Sequence, residues 1–217
     1  MPGGLILAFD TAAAHCAAAV LSGDAVIAER LEAMDKGQAE RLLPLLMELL
    51  AEVGAGWRDL AAIGVGTGPG NFTGIRISVA AARGLALGLG KPAIGVSAFA
   101  ALSLGLPQPV LTSVDARRGM VYLQAPGAVP QMMALDTIPA SLPEHLRDSG
   151  IAVVGHAAVA LARWTGGVAC TPRHSVAAAI ALQALALHAS PQPRPAPLYL
   201  RSADATAPTD PPPVILP

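Results

Sequence analysis

The stretch LILAFDTAAAHCAAAVLSGDAVIAER, residues 5–30, decides the fold. It begins as an apolar run that stops at Asp10, and two further strand-like runs flank Ser22-Gly23-Asp24. That tripeptide carries turn chemistry, so the spacing predicts a strand ending in a carboxylate and then a β-hairpin. The same order returns in PVLTSVDARRGMVYLQAPGAVPQMMAL, residues 109–135. There an apolar strand reaches Asp115, turns, runs back, and turns again at Pro126-Gly127. The letters differ, so what repeats is the pattern.

Outward from the first copy, QAERLLPLLMELLAEV (38–53) repeats leucine at helical steps, with Pro44 near the first turns and Gly54 and Gly56 ending the helix. LAAIGVG (60–66) reads as a short buried strand, a helix follows from about Thr73 to Leu89, and Lys91-Pro92 opens a strand through Val96. Beyond the second copy lie IAVVG (151–155) and an apolar helix from Ser175 to Ala189, read as buried or docking. The expected class is α/β, with two β-sheet/helix subdomains: 1–106, 107–202, and a proline-rich tail at 203–217 that should be extended or disordered. Two first strands facing each other across a cleft would oppose Asp10 and Asp115. Such a carboxylate pair can hold a hydrated divalent cation and, through it, nucleotide phosphates. That layout is the actin-like ATPase (ASKHA, ribonuclease H-like) fold.

The loop GTGPGNFTG, residues 66–74, fails two phosphate templates. A Walker A loop needs Gly-Lys-Ser/Thr, and here Gly74 precedes Ile75-Arg76; a dinucleotide fingerprint needs glycine where Asn71 stands. What remains is a set of glycines before a helix start, where an anion can rest on free N–H groups or Thr73 can cap them. The helix behind it is crowded with alanine and glycine. Ile75, Val79 and Ala82 form one stripe; Ile77, Ala81, Gly84 and Gly88 form another. Two usable faces suggest one for the sheet and one for a partner.

Composition narrows the function. Fourteen basic residues against fifteen acidic give a net charge of −1, and three Phe, two Tyr and two Trp offer little for stacking bases, so the chain alone is a poor nucleic-acid binder. The two cysteines suit neither a metal knuckle nor a disulfide framework. No apolar run reaches the ~20 residues of a membrane span, and Asp10 interrupts the N-terminal apolar stretch, so a cytoplasmic protein is expected. Histidines at 15, 145, 156, 174 and 188 contain no pair four apart that would share a metal on one helix. Each reads as a surface or satisfied core residue, and no base stands out near Asp10 or Asp115. Neither a Ser–His–Asp arrangement nor His–Glu–x–x–His marks a peptidase.

GTGPGNFTGIRISVAAARGLALG (66–88) resembles the GxGPGSFTGLRIG…GLALG signature of the TsaB (YeaZ) family. LILAFDTA, ERLLPLLMELL, IGVSAFAAL, VDARRGMVYLQ and PLYLR resemble further segments of that family in the same order. The resemblance implies the actin-like fold and a subunit without catalysis of its own. Such a subunit binds and activates TsaD, beside the ATPase TsaE, in making N6-threonylcarbamoyladenosine at position 37 of tRNAs that read A-starting codons. It further implies a homodimer when TsaD is absent, tRNA contact only through the complex, no membrane, and no cofactor on this subunit, with ATP and metal on the partners. The expected partner interface is Leu42, Leu45, Leu46, Leu49, Ile75, Val79, Ala82 and Gly84. Asp10, Thr11, Gly68, Gly70, Thr73, Asp115 and Arg117 would be vestigial nucleotide or phosphate positions. Met120 stands where the family usually has Glu, and Gln38 where it often has His. The alternative is an ATP-dependent small-molecule kinase or acyl transferase of the same fold, using Asp10, Thr11, Asp115 and the glycine loop.

Overall fold

The computed structural model describes residues 4–141, 144–147 and 150–200. Strands β1 (Leu5–Asp10), β2 (His15–Ser22) and β3 (Ala25–Ala33) form an antiparallel meander, followed by helix α1 (Gln38–Glu52). Then come β4 (Leu60–Gly66), α2 (Phe72–Leu89), β5 (Ala93–Val96) and α3 (Ala98–Ser103). The second half repeats the order as β6 (Val110–Asp115), β7 (Met120–Gln124), β8 (Gln131–Ala134), α4 (Ile138–Ser141), β9 (Ala152–Gly155), α5 (Ala158–Thr165), β10 (Val168–Cys170) and α6 (Val176–Leu187). The first sheet is ordered β3-β2-β1-β4-β5 and the second, read from its hairpin edge, β8-β7-β6-β9-β10. In each, the meander pairs antiparallel and the later strands pair parallel to the first. The duplicated strand–Asp–hairpin pattern is therefore a duplicated topology, the layout expected of the actin-like fold.

Parallel strands need crossover helices to cover their faces. On the outer face of the first sheet, α1 and α2 bury Leu42, Leu45, Leu46, Leu49, Ile75, Val79 and Ala82 against Leu7, Phe9 and Ile63. Each large aliphatic side chain so enclosed contributes roughly 1.5–3 kcal/mol. The stripes expected to meet a partner are thus the stripes that hold these helices to their own sheet; of the eight expected interface residues only Gly84 is exposed. Pro44 lies inside α1, in its second turn. α2 is capped by Asn71, whose side chain accepts from the Gly74 N–H at 3.0 Å, not by Thr73, which lies inside the helix. With 18 residues and a mean hydropathy of 1.3, α2 is by length and composition apolar enough to cross a membrane. Here its buried stripe lies on the first sheet.

The inner faces are covered by exchange. Helix α6, expected within a subdomain 107–202, packs its Ile180, Ala181 and Ala184 on Ile6, Ala8 and Ile94 of the first sheet. Its all-round apolar sequence fits this enclosed position. In return α3 sends Phe99 against Ala116 and Tyr122, and Leu102 against Val110 and Val154, of the second half. Gln183 of α6 donates to the Ala100 carbonyl at 3.5 Å, so the two exchanged helices also touch. A boundary at 106/107 therefore follows the sheets but not the helices. The tail expectation for 203–217 lies outside the described residues.

Candidate functional site

A cleft of about 1050 Å³ separates the halves, walled by the ends of β1 and β6, the glycine loop and the segment around Leu198–Leu200. The two expected carboxylates do meet here, and the repeat extends to their local geometry. Asp10 Oδ1 accepts the Ala12 N–H at 2.9 Å and Asp115 Oδ1 accepts the Arg117 N–H at 2.8 Å, each two residues onward. Such short side-chain-to-backbone bonds are how aspartate shapes a turn.

Their surroundings differ. Asp10 is buried, and its Oδ1 also lies 2.8 Å from His15 Nε2, which donates to it. Nothing in the sequence ties His15 to Asp10, five positions earlier. The tight bend from β1 into β2, with Asp10 opposite Ala17, folds it back to the same place. Asp115 is more exposed, with Arg117 Nη1 3.7 Å from Oδ2. A divalent cation needs several free oxygens. Here Oδ1 of the buried carboxylate takes both an imidazole and a backbone N–H, and no group of three His, Cys, Asp or Glu among the described residues is placed to hold a metal. The residues do not fit the cation that the fold implies.

The glycine loop is closed rather than cradling. Thr11 is fully buried and donates through Oγ1 to the Gly74 carbonyl at 2.6 Å, so it braces α2 instead of facing the cleft. The Asn71 N–H bonds the Ala12 carbonyl at 2.6 Å. A Cβ at Gly74 would collide with the Thr11 carbonyl, and one at Gly70 with that of Ala12. These glycines let two backbones touch. The Gly68 carbonyl accepts from Ala98, and the Thr67 carbonyl accepts from Leu198. Thr73 is exposed and makes no cap. Asp10, Thr11, Gly68 and Gly70 are thus consumed by structure, while Asp115 and Arg117 remain open to the cleft.

At the rim Arg76 lies 3.8 Å above the Phe72 ring and donates from Nε to Tyr199 Oη at 2.7 Å, while the two rings stand 4.9 Å apart. This triple ties the near-terminal segment to the first turn of α2. Met120 packs beside Phe99 and Tyr122. Gln38 donates to the Met34 carbonyl at 3.0 Å and helps set the start of α1.

The second feature of note is the outward surface of α1 and α2. Leu43 and Met47 are exposed on α1; Ala80, Gly84, Leu87 and Gly88 are exposed on α2, with Leu87 86 % accessible. A Cβ built at Gly84 or Gly88 meets nothing within 4 Å. One flank of this apolar face is a charged lattice. Arg41 bonds Glu32 at 2.7 Å and Glu48 at 2.6 Å, and Arg30 bonds Glu52 at 2.7 Å. The Arg41 hydrogen bonds hold both Glu32 and Glu48 below the usual carboxylate range. Burial, with Glu32 nearby, raises the Cys16 thiol to about 11, so it stays neutral.

Among known proteins, the family model described as TsaD: tRNA N6-adenosine threonylcarbamoyltransferase matches residues 29–137, just over half of the chain. The tRNA threonylcarbamoyladenosine biosynthesis protein TsaB of Escherichia coli (strain K12) is 38% identical over 122 residues, 54% of this chain and 52% of that protein. The chain thus spans about half the length of the curated relatives it matches. A Pseudomonas aeruginosa structure described as similar to peptidase YeaZ superposes with a TM-score of 0.73 at 25% identity, covering 91% of this chain and all of that one. Another, described as YeaZ from the same organism, gives a TM-score of 0.68, again at 25% identity and with the same coverage.

Proposed function

Because the chain belongs to the TsaB (YeaZ) family, we propose that it serves tRNA threonylcarbamoyladenosine biosynthesis as a non-catalytic scaffold that binds and activates a TsaD-like subunit. One observation carries this reading: two adjacent helices keep an apolar outward face after satisfying their own core, with Met47 58 % and Leu87 86 % accessible. Small residues at Ala80, Gly84 and Gly88 flatten that face so another helix can approach closely. Apolar centres with charged rims are the anatomy of protein interfaces, and a stable one covers ~800 Å² per partner. The same face would pair two copies as a homodimer when the TsaD-like chain is absent. A TsaE-like ATPase joins through that complex, ATP and metal belong to the partners, tRNA is met only in the assembly, and the work lies in the cytoplasm.

The kinase or acyl-transferase alternative draws less support, since the glycine loop is bonded shut and Asp10 is occupied by His15. The test is co-purification with a TsaD-like partner. Met47→Glu and Leu87→Glu each put a charge on the exposed face and are expected to abolish binding with the fold intact. Wild-type recovery of both complexes overturns the proposal.

A further inference from the structure

We infer that the cleft between the halves binds a carboxylate with an apolar body, its acid head held by Arg117 and Arg118. The inference is independent of the scaffold reading, because the cleft and the outward helix face share no residue. Three of the exposed large apolar side chains, Leu31 on the edge strand β3, Phe72 and Tyr199, line this one cavity. Val114, Ile180 and Leu198 continue the wall behind them. A volume of about 1050 Å³ lined this way is the size and character of a small-molecule site.

Charge selects the head group. Asp10 is bonded to His15 and to the Ala12 N–H, and Asp115 faces Arg117. Arg118 makes no ion pair among the described residues, and His174 adds a further basic group to the lining. The lining carries two arginines against two aspartates, and Arg118 is the arginine with no acidic partner among the described residues, so one unpaired guanidinium stands at the lip above apolar walls, a match for one acid on a greasy molecule. The backbone places the two side chains at that lip. Arg117 and Arg118 both take left-handed angles, φ 65° and 52°, ahead of Gly119 at φ 71°. These angles belong to the tight turn closed by the Met120 N–H on the Arg117 carbonyl, which sets the two arginines side by side at the cleft. A nucleotide fits less well, for its phosphates need open loop amides and free carboxylates for a cation.

The test is titration calorimetry of the full chain with octanoate, decanoate, 2-naphthoate and Mg-ATP. Saturable one-to-one binding of an apolar acid is expected. Decanoate should bind about fifteenfold tighter than octanoate, since each of its two extra methylenes gives about fourfold when buried. A tighter naphthoate instead identifies a flat aromatic acid. Arg118→Glu should weaken the preferred acid about tenfold or more. Leu31→Glu should do so as well, with melting unchanged because both residues are exposed. No saturable acid binding, equal affinity in both variants, or displacement of the acid by Mg-ATP overturns the inference. None of those results touches partner binding by the α1–α2 face.

Discussion

Gly84→Glu separates the fold of α2 from its proposed use. Gly84 sits in the helix interior, is exposed, and has open space where a Cβ would go. Glycine in that setting is about 0.5–0.8 kcal/mol worse than glutamate in helix propensity. The substitution should therefore stabilise the isolated subunit and raise its melting temperature by roughly 1–3 °C, the scale for a domain of this size. At the proposed interface it has the opposite effect. A carboxylate pressed unpaired into an apolar contact costs about 3 kcal/mol or more, at least a hundredfold in affinity. The assay is a thermal melt of the purified chain beside a binding titration with the TsaD-like partner. Val79, five residues earlier, supplies the contrast. It is buried against the first sheet, so Val79→Glu should abolish folding itself. A Gly84→Glu chain that melts several degrees lower, or that binds its partner at wild-type affinity, refutes the assignment of faces.

Gly74→Ala should destabilise the chain by about 1–3 kcal/mol through collision with the Thr11 carbonyl, read as a lower urea midpoint. An unchanged midpoint would contradict the close backbone approach. Glu32 and Glu48 are held below their ordinary range by Arg41. Carboxylates depressed on folding add stability that is complete above the ordinary value near 4.5 and is lost as pH falls through the folded value. The melting difference between wild type and Arg41→Met should therefore be widest near pH 7 and narrow below pH ~4. A difference constant across that range would show that the lattice does not hold in solution.

The duplicated meander was readable because each strand ends in an aspartate and alternates into a turn, signals local to a few residues. Face assignment was not, and the reason is physical. On α1 the leucine stripe is wide, and periodicity says which residues lie together without saying which neighbour they meet. The sheet took Leu42, Leu45, Leu46 and Leu49, leaving the sparser Leu43 and Met47 outside. On α2 both stripes were visible, and the one with the bulkier side chains, Ile75 and Val79, went inward because branched residues fill a sheet's surface better than glycine does. His15 escaped notice since its partner is chosen by the bend between β1 and β2, a tertiary fact. The glycine loop matches neither phosphate template in its letters, but that its glycines serve contact with residues 11 and 12 depends on a segment about sixty positions away.

The traded helices α3 and α6 have a consequence for ancestry and for engineering. A chain cut after residue 106 would carry a sheet whose inner side, around Ile6, Ala8 and Ile94, stands bare for want of α6, along with a stray α3 seeking Tyr122 and Val154. Neither fragment closes by itself, so melting should be one cooperative event. A half-length forebear of such a chain would have needed to live as a symmetric pair, each copy lending its last helix to the other, before fusion made the loan permanent.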